Sequence, residues 1–479
     1  MTDKAQAKWC IVCGFSDGPE GFAISEISSR LEDETGVPPV CVSPEHCETY
    51  APEYNLILLG TVKSNALLSR IISDPPVKPE SFIVRTVSEP SVSDRMILCI
   101  CGADANGVLY GVFDFIHFFA DRLAFPADYR SRRVRPFSEP LPHIAHSSCP
   151  AIPKRGIWTW GRCIYDYRKF IDNMARSKLN TAVIWNDAVP VNGREIVRYA
   201  HSRGVRVIWG FSWGWGAGEL DLSDSTKLDF WKKHVLEDYE QYWAPLGGDG
   251  IYFQTATECD EKEVGGAPLA KAVVRWVNTI ADELLARHPS LYIEFGLHAT
   301  SVRTSTQYLA GLDPRLTITW EDGGAFPYAY LASQTEGYGE SLELTRKILK
   351  LRGSSEKAGF VFKGVSTLFW PEFKPAAGGF VLGEASEDII SRKLTEIRPT
   401  IRNEQAYWLS NLGLLTELVR EIAASGVGTG SVTLLCEDGC FERRRWYPCA
   451  LFAETLWAPE KDPAEVLRTT ALCRDVAFA

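Results

Sequence analysis

The chain is short of the residues that most metal and nucleophile chemistries need. It has eight histidines in 479 residues, and no H-E-x-x-H occurs. An imidazole-rich metal centre is therefore not expected. Cys10 and Cys13 form a C-x-x-C, but they lie inside the apparent strand "KWCIVCG", and no second pair follows at zinc spacing. The 13 cysteines, an odd number, sit in apolar segments such as "ILCICG" and read as reduced core thiols. No Cys/His/Asp triad signature occurs. No metal or other cofactor is expected.

Other partner classes fall away similarly. Net charge is −10, and the densest basic run is only "RSRRVR" at 130–135, so nucleic acid is not an expected partner. No stretch of 18 apolar residues occurs, so no membrane span is expected. The opening "MTDKAQAKWC" lacks the apolar core of a signal peptide, which makes a cytoplasmic location the expectation.

What the chain has in quantity is tryptophan, 15 in all. Flat aromatic faces suit sugar rings, although an aromatic core would use them equally well. The elements fall into two blocks. Residues 1–125 alternate strands ("WCIVCGF", "YNLILLG", "SFIVRTV", "RMILCICG") with helices ("GFAISEISSRLEDETG", "ALLSRII", "NGVLYGVFDFIHFFADRL"), which predicts a small α/β domain. Residues 126–152, rich in Pro, Arg and Ser, read as a linker. From 153 to 479, eight short apolar strands each lead into a loop and then, mostly, an amphipathic helix. The strands begin at "RGIWTWG", "TAVIWND", "VRVIWGFSWGWG", "DGIYFQTATE", "LYIEFGLHATS", "LTITWEDGG", "GFVFKGVSTLFW" and "SVTLLCEDG". That pattern predicts a (β/α)8 TIM barrel, with extra helix in the long connection at about 371–429. An open doubly wound sheet would want a G-x-G-x-x-G after its first strand, but "WTWGRCIYDY" stands there instead.

Barrel chemistry sits at the C-terminal ends of the strands. Those ends carry Trp158 and Trp160; Trp185, Asn186 and Asp187; Trp213 and Trp215; Glu258, Asp260 and Glu261; His298; Trp320, Glu321 and Asp322; Trp370 and, further out, Glu372; and Glu437 with Asp438. Paired carboxylates with aromatic platforms are the equipment of glycoside hydrolysis, in which one carboxyl donates to the leaving oxygen and the other activates water or attacks the sugar. In "IYFQTATE", Glu258 shares parity with Tyr252, Gln254 and Ala256, an inward set, which leaves Asp260 and Glu261 as loop charges. Glu321 and Asp322 are adjacent, so at most one faces the barrel axis. Each nominated residue also has a structural use: Asp187 can cap a helix, His298 can pack, and one of Trp213 and Trp215 faces the core.

The helix "GADANGVLYGVFDFIHFF" resembles the one that closes the α/β domain preceding the barrel of family 67 α-glucuronidases. Similar domains precede the barrels of family 20 and family 84 hexosaminidases. "GIYFQTATE" resembles the acidic strand-4 motif of the α-glucuronidases, which implies Glu258 as general acid. The adjacent acidic pair of the hexosaminidases is absent, since Thr257 precedes Glu258. The resemblance also implies a water-activating carboxylate on a later strand, a place that Glu321 or Asp322 fits. On strand 7 the chain departs from the pattern, with only Glu372 after Pro371. The expectation is a glycosidase acting on an oligo- or polysaccharide or other glycoside, possible substrates including a uronic acid or an N-acetylhexosamine. Its catalytic residues would be Glu258, Glu321 and Asp322. Trp158, Trp185, Asn186, Asp187, Trp213, Trp215, His298, Trp320 and Trp370 would bind substrate. The alternatives are an inactive carbohydrate-binding barrel and a carboxylate-dependent lyase or hydrolase of another type.

Overall fold

The computed structural model describes residues 8–14, 17–121, 137, 142–213, 224–255, 263–297, 305–321, 338–351, 358–365, 368, 374, 378–425, 430–437 and 441–479. The N-terminal sheet is built from β1 (Trp9–Cys13), β2 (Val40–Val42), β3 (Asn55–Gly60), β4 (Phe82–Glu89), β5 (Ser93–Gly102) and β6 (Ala145–Ser148), in the order β2-β1-β3-β5-β4-β6. Strands β2, β1, β3 and β5 are parallel, and β4 runs antiparallel to both its neighbours. The central runs of β3 and β5 are apolar because both faces are covered. The helix Gly18–Thr35 stops where glycine allows it, at Gly36 with φ 73°. The helix Ala105–Asp114 starts where the Asp104 carboxylate accepts from the Gly107 N–H at 2.8 Å.

The expected linker is corrected in one respect. Its residues 145–148 form β6, paired with β4 in the register Ile83↔Ser147. "AHSS" shows no apolar alternation because an edge strand is held by backbone hydrogen bonds and asks little of its side chains.

The second block is a closed parallel barrel of eight strands: Arg155–Trp160, Thr181–Trp185, Arg206–Ser212, Gly250–Gln254, Ile293–Leu297, Thr317–Trp320, Ala358–Val365 and Val432–Cys436. We number these barrel strands 1 to 8. Alternation divides each strand between two environments. Trp158, Val183, Trp185, Ile208, Tyr252, Val361 and Leu435 meet inside the barrel. The residues between them face outward into the main core beneath the helices. The long connection before strand 8 holds the 38-residue helix Glu387–Ala424. Its Trp408 donates to the Gly364 carbonyl at 2.8 Å and covers strand 7. No helix among the described residues is long and apolar enough to cross a membrane.

The two blocks are joined by buried charge. Lys178 Nζ lies 2.7 Å from Asp114 Oδ1 and 3.1 Å from Glu454 Oε1, all three side chains being almost fully buried. Arg155 reaches across to Glu80 at 2.7 Å. Trp457 caps this region: it stacks on Phe82, donates to Ser148 Oγ at 2.8 Å and lies 4.5 Å from Lys178 Nζ. Cys10 and Cys13 are free thiols on β1. Burial pushes Cys10 up to about 12 and Cys13 to about 11, so both are protonated and unreactive at neutral pH.

Candidate functional site

Glu321 follows barrel strand 6 directly and keeps its backbone pairing, its N–H donating to the Leu297 carbonyl at 3.0 Å. It continues the inward set of Thr317 and Thr319, so its side chain enters the barrel at the C-terminal mouth. It is 5% exposed. The Tyr252 hydroxyl and the Gln254 amide both donate to Glu321 Oε1. Burial first, then the neighbouring Glu321 charge, pushes the Tyr252 phenol well above its ordinary value, which keeps it a donor. Glu321 is thus presented as an acceptor, as a base or nucleophile must be, and it makes no ion pair among the described residues.

Gly296 on strand 5 makes room for this arrangement. A β-carbon there would overlap the Tyr252 hydroxyl and come within 2.7 Å of Glu321 Oε1. Gly296→Ala is expected to displace the Glu321 carboxylate and lower kcat by about 10²-fold, the scale of a misplaced catalytic group. Steady-state kinetics, with circular dichroism as the control for folding, checks this.

Beside Glu321 lies an aromatic nest. Trp158 stands edge-on to Trp160 at 5.3 Å and stacks with Trp185 at 6.4 Å. Tyr252 closes the group at 5.8 Å from Trp158 and 6.2 Å from Trp185. Trp158 Nε1 is buried without a hydrogen-bond partner among the described residues. Deeper in the barrel, Glu294 is fully buried and accepts from Tyr292 (2.6 Å), Ser431 (2.7 Å) and Thr319 (3.1 Å). Three hydroxyl donors account for this carboxylate as part of the barrel filling. Lys363 points inward from strand 7 and is buried. Arg155 does not enter the mouth, because its parity is outward and Glu80 holds it.

A cavity of about 700 Å³ that shares Trp185 with the nest lies between the ends of strands 2 and 3 and the helix Ser225–Asp238. Trp185, Asn186, Asp187, Phe211 and Ser212 line one side, and Trp231, His234, Asp238, Tyr242 and Trp243 the other. Burial raises the Asp238 carboxyl above its usual range, against the opposing hydrogen bond from Trp243 Nε1 at 3.2 Å.

The structure therefore brings together Glu321, Trp158, Trp185, Asn186 and Asp187 at the mouth and its cavity. Asp187 is exposed, and Asn186 is buried with its amide donating to the Ile184 carbonyl at 3.1 Å. Two expected binders are corrected. Trp213 is wholly buried and stacks on Phe253 at 3.6 Å in the outer core. Trp320 is 1% exposed in the same core. Each directly adjoins an inward residue, Ser212 or Glu321, so alternation turns it outward. Glu258, Asp322, Trp215, His298 and Trp370 lie outside the described residues, as do Asp260, Glu261, Glu372 and Asp438. Strand ends alone pass over Glu294, which sits inside a strand, and Trp231, His234, Asp238 and Tyr242, which sit on the helix after strand 3 and its π-helical continuation.

No family model matches the chain, and no curated protein does. Among solved structures, it is similar to a family GH115 4-O-methyl-α-glucuronidase with specificity for decorated arabinogalactans. That match has 14% identity and a TM-score of 0.48, covering 94% of this chain and 57% of that one. A GH18 chitinase from Cycas revoluta in complex with (GlcNAc)3 matches at 10% identity and a TM-score of 0.39, over 64% of this chain and 100% of that one. A group II chitinase catalytic domain from Ostrinia furnacalis matches at 14% identity and a TM-score of 0.37, over 64% of this chain and 97% of that one. These neighbours are glycoside hydrolases. The chain spans 57% of the length of the glucuronidase structure it matches. At these scores the barrel rests on its own strand pairing, and the chemistry on its own residues.

Proposed function

We propose that the barrel mouth hydrolyses a glycosidic bond with two carboxylates. The observation that carries this is Glu321: inward, buried, held by two donors at the C-terminal end of a barrel strand, and joined through one of them, Tyr252, to the tryptophan nest. It acts as base or nucleophile. Asp322 is adjacent in sequence and takes the opposite parity on an extended chain, so it is the weaker choice. Glu258, four residues beyond Gln254 and on its parity, is the general acid. The aromatic nest receives the sugar. A barrel that had lost catalysis would be expected to lock its carboxylate in an ion pair, and among the described residues Glu321 has none. The sequence resemblance to the family 67 α-glucuronidases supports a uronic-acid substrate.

Replacing the acid tests this reading. Glu258→Gln is expected to abolish turnover of glycosides with poor leaving groups and to spare activated aryl glycosides, whose departure needs no proton. Full activity of the variant on a poor leaving group would remove Glu258 from the role. The separation of the Glu258 and Glu321 carboxyls then gives the stereochemistry: about 5–5.5 Å for retention and roughly 6.5–9.5 Å for inversion. A separation well beyond that range would remove Glu321 from the pair.

A further inference from the structure

Trp231, His234, Asp238 and Tyr242 recur at helical spacing along Ser225–Asp238 and its π-helical continuation Tyr239–Trp243, so they share one face. The usual work of such a stripe is packing, and part of this one does pack, with Trp243 stacked on Phe211 at 4.8 Å. The remainder borders the cavity of about 700 Å³, a volume ordinary for a ligand site. Tyr242 is 48% exposed there, and Trp231 is half-buried. Two links tie the cavity to the carboxylate. Trp185 belongs to both the nest and the cavity wall. Ser212, on the wall, pairs in register with Gln254, which donates to Glu321.

The ionisable side chains on the described lining are Asp187, Asp238, His234 and Tyr242, with neither lysine nor arginine. An anionic sugar would meet like charge there, whereas a neutral one finds aromatic faces for its C–H surfaces and carboxylates to accept from its hydroxyls.

We propose that this cavity is a subsite for an uncharged sugar unit of an oligosaccharide, adjoining the unit held against Glu321. The proposal rests on the glycosidase reading, and any uronate of the substrate is excluded from this position.

The test is calorimetric titration of Glu321→Gln protein with cellotetraose, xylotetraose, galactotetraose and tetragalacturonate. At least one neutral tetrasaccharide is expected to bind. Adding Tyr242→Ala should weaken it by about tenfold, the scale of one aromatic contact, and Tyr242→Phe, which keeps the ring, should restore most of the affinity. Three results would each overturn the proposal: no neutral tetrasaccharide binding, binding indifferent to Tyr242→Ala, or tetragalacturonate binding most tightly. Absence of glycoside hydrolysis by the wild-type protein would count against the glycosidase reading instead, so the two failures are read from different measurements.

Discussion

Replacing Glu321 with glutamine should lower kcat by about 10²–10⁴-fold, the contribution of a positioned acid–base group, or by more if Glu321 is the nucleophile. The substitution preserves shape. A glutamine still offers one carbonyl oxygen to the Tyr252 hydroxyl and the Gln254 amide, so the barrel mouth keeps its hydrogen bonds. What disappears is the anionic acceptor. The variant should therefore bind oligosaccharide with nearly unchanged affinity and unfold at nearly the same denaturant concentration. Loss of folding along with activity would show that Glu321 serves the barrel's structure instead.

Lys178→Met should destabilise the folded chain by about 3–5 kcal/mol, because it leaves two buried carboxylates without their cation. Lys178 occupies an unusual place. It follows the helix Tyr167–Arg176 in the left-handed region, at φ 57°, where glycine is the common residue. The motif is otherwise regular, with Lys178 N–H donating to Ala175 and Leu179 N–H to Met174, at 2.8 and 2.9 Å. A lysine is kept there, against a cost of about 1–2 kcal/mol in backbone energy, because its ammonium joins Asp114 of the first domain to Glu454 of the barrel. Burial alone would lower the lysine pKa, but the two carboxylates more than offset it and hold it raised.

The same network sets the acid limb of stability. Burial pushes the Asp114 carboxyl up, but Lys178 and His146 more than offset this and hold it below the usual carboxylate range. A depressed folded value stabilises at pH above the ordinary value of about 3.9 and is lost as pH falls below it. Wild-type stability should therefore drop on acidification below about pH 4, and the drop should be shallower in Lys178→Met. Urea midpoints across that range check both statements.

Much of this was legible in the sequence, because strand order and alternation are encoded locally. The eight barrel strands follow from short apolar runs, and the inward position of Glu321 follows from parity with Thr317 and Thr319. The same parity, applied to Trp213 and Trp320, excludes them from the mouth, whereas counting residues at strand ends includes them. Glu294 also left a signal, as a carboxylate in the middle of the apolar run "LYIEFGL". The strand β6 left none, since "AHSS" pairs through its backbone. The cavity was hidden for another reason: its far wall is a helical stripe that reads as core until the strand ends opposite it are in place. The ion network of Lys178, Asp114 and Glu454 joins residues up to 340 positions apart, and no local pattern announces it.

The most direct test is hydrolysis of a panel of aryl glycosides, including uronides and N-acetylhexosaminides, by the wild-type protein and by Glu321→Gln. The account predicts release of the phenol from at least one member by the wild type, and its near-complete loss in the variant. No release from any member, or equal release by the two proteins, would contradict it.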